Sequence, residues 1–149
     1  MQSIYLLDTN IVSEITKLKP EQKVLNRIYK ARNISCISSV GFDEMLYGVK
    51  KLPSCKKKDD LFSFCVDFIQ SNFEIVPFDL HASWIHSDIR QRLESKGKKA
   101  PLADSMIAAT AIANNLVLVT RNTKDFDEKE FLAVFLSPSF FFLLESAFA

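Results

Sequence analysis

Four stretches of this chain put an acid or an amide where it could serve metal-assisted hydrolysis. Asp8 ends the apolar run Ile4-Tyr5-Leu6-Leu7 and is followed by Thr9 and Asn10. Glu44 has Gly41 three residues before it and Gly48 four residues after it. Asp104 comes three residues after Pro101, and Asn122 and Asp125 come after the apolar stretch Leu116-Val117-Leu118-Val119. Carboxylates gathered in one place repel one another, and each is costly to bury unless paired. The usual resolution is a hard divalent cation, Mg2+ or Mn2+, which prefers oxygen ligands. Such an ion activates water and neutralises charge developing on a phosphodiester.

Each of these residues also has a plainer reading. Asp8 alone reads equally well as a turn residue or a helix cap. Asp104, near the start of a helix, is favoured there by the helix dipole whatever else it does. Asp125, just before Phe126, reads also as a cap. Glu44 stands out because glycine in a helix interior costs roughly 1 kcal/mol relative to alanine. Two glycines on its face call for compensation, either room for the carboxylate or close helix packing. His81 and His86 are five residues apart and do not share a helix face as a ligand pair would, so both read as structural. Cys36, Cys55 and Cys65 form no CxxC pair and read as reduced thiols of a cytosolic protein.

The elements that must position these groups follow from apolar periodicity. Ile4–Leu7 reads as a short strand buried on both faces, as in a parallel sheet. That places Asp8 at its carboxyl end, where open α/β sheets hold their ligands. A short helix is expected over 10–17, and a second from Pro20 to Ala31 with Val24, Leu25, Ile28 and Tyr29 on one face. Ile34–Ile37 is a second strand, and Ser38 or Ser39 caps a helix running to Lys50. Pro53 and Lys56-Lys57-Lys58 mark a surface break. Leu61–Asn72 is helical in pattern, and Glu74–Val76 is a third strand. Asp79 caps a long helix through Trp84, Ile85, Ile89 and Leu93, which Gly97 stops. Pro101 opens a helix to Asn114, and Leu116–Val119 is a fourth strand. Strands alternating with helices indicate a parallel sheet covered on both sides.

The chain has 149 residues, and one domain is the natural expectation. Lys and Arg total 19 against 18 Asp and Glu, so no global charge draws it to nucleic acid. Any such attraction must be local. Lys96, Lys98 and Lys99, just before the helix carrying Asp104, and Arg121 are the candidates for RNA phosphates. Lys56–Lys58 read as a solvated turn. No stretch approaches the roughly 18 apolar residues of a membrane span. No basic region precedes the first apolar run, so no secretory signal is expected.

Taken together, the motifs are more specific than any one of them. Leu7-Asp8-Thr9-Asn10, Ser38-Ser39-Val40 leading to Glu44-Met45-Leu46-Tyr47-Gly48, Asp104-Ser105-Met106-Ile107-Ala108-Ala109-Thr110-Ala111, and Leu118-Val119-Thr120-Arg121-Asn122-Thr123-Lys124-Asp125-Phe126 occur in this order. With Val76-Pro77-Phe78-Asp79 and Ile89-Arg90, this resembles the PIN-domain family, and within it the VapC-like toxins of bacterial toxin–antitoxin pairs. The resemblance covers roughly residues 3–127. It implies a PIN-like three-layer α/β/α sandwich with a central, mainly parallel sheet, and a Mg2+- or Mn2+-dependent ribonuclease site. It also implies a cytoplasmic protein that forms a homodimer and is inhibited by a cognate antitoxin.

Carried over by motif, the metal-binding and catalytic acids are Asp8, Glu44 and Asp104, with a fourth group in the loop from Thr120 to Asp125. Thr9, Asn10 and Thr120 are similar to groups that orient ligands or metal-bound water. For the fourth position, Asn122 offers a neutral carbonyl and Asp125 a charge. Asp125 is favoured, with Asn122 as its hydrogen-bonding neighbour. The nuclease domain is expected over 1–135, with a strand at Phe131–Phe135. The apolar tail 136–149, with Phe140-Phe141-Phe142-Leu143-Leu144, departs from the family pattern. Two other readings stay open: a PIN-like module that binds RNA or a partner without cutting, and a metal-dependent phosphohydrolase acting on another substrate.

Overall fold

The computed structural model describes residues 2–99 and 101–122. Asp125, the strand expected at 131–135 and the tail 136–149 lie outside the described residues. β1 (Tyr5–Leu7) runs into α1 (Thr9–Val12) and a 3-10 turn (Ser13–Thr16). Next come α2 (Gln22–Ala31), a 3-10 turn (Arg32–Ile34), β2 (Ser35–Ser38) and α3 (Ser39–Lys50). α4 (Lys56–Ser63), a π-helical stretch (Phe64–Ile69) and α5 (Gln70–Asn72) lead to β3 (Glu74–Val76). α6 (Leu80–Ser95), α7 (Leu102–Ala113) and β4 (Val117–Val119) follow.

The four strands form a parallel sheet in the order β3-β2-β1-β4. Side chains on a strand alternate between faces, and the core divides accordingly. Leu6, Cys36 and Leu118 pack on one face with Ile85, Ile89 and Leu93 of α6 and Ile107, Ala108 and Ala111 of α7. Leu7, Ile37 and Val119 pack on the other with Ile11, Val12, Val24, Ile28, Met45, Val49, Cys65 and Ile69. Both faces are covered, which gives the three layers expected of an α/β/α sandwich. Among the described residues, no helix is long and apolar enough to cross a membrane.

The chain's order of crossovers creates the switch point. β1 leads to β2 and then β3 on one side, and β4 returns to pair on β1's other side. The carboxyl ends of β1 and β4 therefore lie side by side with their connections diverging, the position where such sheets bind ligands. The Asp8 backbone N–H donates to the Val119 carbonyl at 3.0 Å, extending the pairing past the last strand residue.

Local signals set most boundaries. The Ser38 hydroxyl accepts from the Gly41 N–H at 2.9 Å and starts α3, while Asp79 accepts from the Ala82 N–H and starts α6. Gly97 adopts a φ of 69°, a left-handed conformation cheap only for glycine, and ends α6. His86 is buried with its Nε2 2.8 Å from the Ser105 hydroxyl, joining α6 to α7 in the structural role its spacing predicted. All three cysteines are free thiols.

Four expectations are corrected. The single helix over 10–17 is α1 followed by a 3-10 turn. Lys56–Lys58 form the first turn of α4 rather than a break. Three cations at a helix start oppose the dipole, but Lys58 reaches across and donates to the Lys50 and Leu52 carbonyls at the end of α3. Tyr29 and Trp84 are 45% and 68% exposed and do not join the core. The two glycines beside Glu44 are not equivalent. A Cβ on Gly41 would lie 3.3 Å from both the Ser38 and Thr9 hydroxyls, whereas one on Gly48 would meet nothing within 4 Å.

That difference predicts a pair of stability outcomes. Gly48→Ala should stabilise the protein by about 0.5–1 kcal/mol, because the helix gains alanine's propensity without a clash. In Gly41→Ala the crowding should cancel that gain. Urea unfolding of both variants checks this, and an equal gain at the two positions would contradict it.

Candidate active site

Asp8 lies at the junction just described and is 3% exposed. As the N-cap of α1 its Oδ1 accepts from the Thr9 N–H at 2.7 Å. Its Oδ2 accepts from Asn10 Nδ2 at 2.9 Å and from the Thr120 hydroxyl at 2.7 Å. A carboxylate has about four lone-pair sites, so these three bonds leave room for one further partner. Both plain and chemical readings of Asp8 are therefore realised in one residue: it caps a helix, and it stands at the switch point.

The surrounding amide and hydroxyl leave little freedom. The Thr120 hydroxyl donates to Asp8 and accepts from Asn10 Nδ2 at 3.1 Å and from the Asn122 N–H at 3.0 Å. One proton and two lone pairs are thereby all used. The Asn10 side-chain Oδ1 accepts from the Arg121 N–H at 3.2 Å. Asp8, Asn10 and Thr120 thus bond one another in a triangle, drawn from the two strand ends that the sheet brings together.

Glu44 joins this group through Thr9. The Thr9 hydroxyl donates to Glu44 Oε2 at 3.0 Å, while the Thr9 N–H serves Asp8. One residue therefore connects the two acids. The close approach of Gly41 to the Thr9 hydroxyl is what lets α3 come near enough. Asp104 is half-buried in the first turn of α7, a helix that packs against α3. Among the described residues, no three His, Cys, Asp or Glu side chains gather closely enough to hold a metal ion. The structure bonds Asp8 and Glu44 into one network with Thr9, Asn10, Thr120 and Asn122, and Asp104 lies on the helix packed against α3.

Burial raises the Asp8 pKa above its ordinary value of 3.8, against the pull of the Thr120 hydroxyl and the Thr9 N–H. Its three bonds come from neutral donors, which stabilise an anion without cancelling its charge. Arg121, the residue after Thr120, directs its guanidinium to other carboxylates. Its guanidinium donates from Nη1 to Glu14 Oε2 and from Nη2 to Glu21 Oε2, both at 2.8 Å. Among the described residues, the bonds to these two carboxylates come from hydroxyl, amide and backbone N–H groups, and their oxygen donors suit a hard cation.

Glu14 is the residue sequence reasoning passed over. It is 2% exposed and ion-paired to Lys17 and Arg121. A signal was present: an acid inside Ile11-Val12-Ser13-Glu14-Ile15 sits among core residues and needs a partner. The candidate phosphate ligands Lys98 and Lys99 line a cavity of about 350 Å3 with Arg90, Glu94 and Ser105, the residue after Asp104.

The triangle gives a direct prediction. Thr120→Val keeps the shape but removes a donor to Asp8 and an acceptor for two N–H groups. It should cost roughly 1–3 kcal/mol of stability, and Thr120→Ser should recover most of the loss. Urea midpoints measure both, and a neutral Thr120→Val would contradict the assignment.

A model of the PIN domain family matches residues 5–132. Ribonuclease VapC2 of Rickettsia felis is 36% identical over 124 residues, covering 83% of this chain and 90% of that protein. Toxin FitB of Neisseria gonorrhoeae is 33% identical over 131 residues, covering 81% of this chain and 89% of that protein. The crystal structure of VapBC2 from Rickettsia felis, bound to a DNA fragment from their promoter, superposes with a TM-score of 0.74 at 31% identity, covering 95% of this chain and 98% of that one. A match across most of the chain, around a parallel sheet whose switch point holds Asp8, makes this chain a member of the PIN domain family.

Proposed function

We propose that this protein is an endoribonuclease and the toxin of a toxin–antitoxin pair, cutting RNA phosphodiesters in the cytoplasm with a bound Mg2+ or Mn2+. The observation that carries the reading is the buried Asp8 carboxylate, held by neutral donors beside Glu44 at the sheet's switch point. The names of its relatives, a ribonuclease and a toxin, support the substrate and the role. The neighbour crystallised with promoter DNA supports a complex that also meets DNA. A cognate antitoxin is the expected inhibitor, and the active form is a homodimer.

In this reading Asp8, Glu44, Asp104 and Asp125 hold the cation. The bound ion supplies a Lewis acid that activates water and offsets charge on the phosphodiester. The protein's own groups do the positioning. Thr9 fixes Asp8 and Glu44 relative to one another, and Asn10 and Thr120 hold Asp8 in a single orientation. Lys98 and Lys99 attract the RNA backbone, with a salt-sensitive contribution from each phosphate contact. Arg121 contributes less to that path, since two carboxylates hold its guanidinium. An antitoxin could block the site with an Arg, whose planar fork pairs with carboxylates.

The rival reading is a PIN-like module that binds RNA or a partner without cutting. One assay separates the two. Purified, antitoxin-free protein should cut RNA but not DNA oligonucleotides with Mg2+ or Mn2+, and EDTA should stop it. Losing a group that merely orients a metal ligand costs about 10–100-fold, so Asp8→Asn, which loses the ligand charge itself, should cost at least about a hundredfold while staying folded. Asp125→Asn should impair cleavage more than Asn122→Ala. Activity of Asp8→Asn within about threefold of wild type would remove Asp8 from the mechanism, on the same scale of effects. No cleavage by the wild type would favour the binding module.

A further inference from the structure

We propose that Glu14 and Arg121 form a positioning pair that pins the loop after β4 against the segment after β1, and so sets the geometry of the nuclease site. The proposal rests on the nuclease reading given above. Glu14 stands in the turn six residues after Asp8, with its carboxylate almost wholly buried. Oε1 accepts the Glu21 N–H at 2.7 Å, and Oε2 accepts from Lys17 and from Arg121 Nη1. Glu21, half exposed, takes Arg121 Nη2. The guanidinium is therefore gripped on two nitrogens by two carboxylates, both belonging to the segment that follows Asp8.

What this grip controls is the backbone on either side of Arg121. Thr120, one residue before, donates to Asp8, and Asn122, one residue after, donates its N–H back to Thr120. The Arg121 N–H itself donates to Asn10 Oδ1. Side chain and backbone of one residue thus tie together the two segments that build the site, 107 residues apart in sequence. Bulk stability does not require such a pair, because well-packed apolar residues commonly do as well as a buried ion pair. A planar fork held at two points fixes orientation as well as distance. In sequence, Asp125 comes four residues after Arg121.

The test compares Glu14→Gln, Arg121→Met, their double variant and Glu21→Gln. By the size of effects known for groups that orient metal ligands, Glu14→Gln and Arg121→Met should each lower kcat for RNA by about 10–100-fold. KM should stay within about twofold, and Mn2+ affinity of the folded protein should weaken. The double variant should be no worse than the more severe single one, as for residues acting through one contact. Glu21→Gln, at the exposed end, should do less. Independently of activity, hydrogen exchange of the Arg121 and Asn122 amides should quicken in Glu14→Gln while the Leu6 and Leu118 amides keep their protection. Should Glu14→Gln fail to fold, Arg121→Met carries the same readouts.

Unchanged exchange and Mn2+ affinity in the folded variants would overturn the proposal. So would a rise in KM with a flatter salt dependence in Arg121→Met alone, since that marks a phosphate contact. A wild type that binds Mn2+ but cuts no RNA would overturn the nuclease reading instead. The exchange and affinity measurements would then still decide the pairing.

Discussion

A carboxylate buried where two strands end must have its lone pairs used, and the site is built to satisfy that demand at Asp8. The strand β1 supplies the burial, because Leu6 and Leu7 fill the cores on opposite faces of the sheet. The parallel neighbour β4 supplies Thr120, whose hydroxyl bonds Asp8 in the same plane of connections that lets the Asp8 N–H reach Val119. Helix α1 then begins on Asp8 because its carboxylate takes the first orphan N–H. Strand pairing, helix capping and site geometry are one set of bonds rather than three.

Two buried acids six residues apart show two solutions to the same cost. Glu14 is answered by cations, and its pKa lies below the usual carboxylate value because Lys17 and the Glu21 N–H bond it, with Arg121 nearby. Asp8 is answered by an amide, a hydroxyl and a backbone N–H, and burial lifts its pKa instead. Arg121 lies close in sequence to Thr120 yet is directed to Glu14 and not to Asp8. Asp8 is thus bonded by neutral donors while the Arg121 guanidinium is held by Glu14 and Glu21, an arrangement consistent with the proposed cation site.

Much of this was legible in the sequence, for identifiable reasons. The run Ile4-Tyr5-Leu6-Leu7-Asp8 carried both the strand and the position of its acid, although Ile4 proves half exposed and lies outside the strand. Ser38, Asp79 and Gly97 marked helix ends because capping and left-handed backbone are local chemistry. Gly41 was flagged by its cost in a helix, but only the structure shows that the space it clears belongs to the Thr9 hydroxyl. Gly48 carried the same signal without that role. The Arg121–Glu14 bond was not legible, because sequence reveals a charge and not its partner, and the two lie 107 residues apart. Lys56–Lys58 misled because the carbonyls that answer Lys58 come from the end of another helix.

Whether the Asp8–Glu44 pair holds a cation is read most directly by anomalous diffraction from crystals of the antitoxin-free protein grown with Mn2+. A Mn2+ peak should lie in contact with the Asp8 carboxylate, with Glu44 on the same ion directly or through water, and should disappear in Asp8→Asn. A well-ordered site with no Mn2+ peak there, or the same peak persisting in Asp8→Asn, would contradict it.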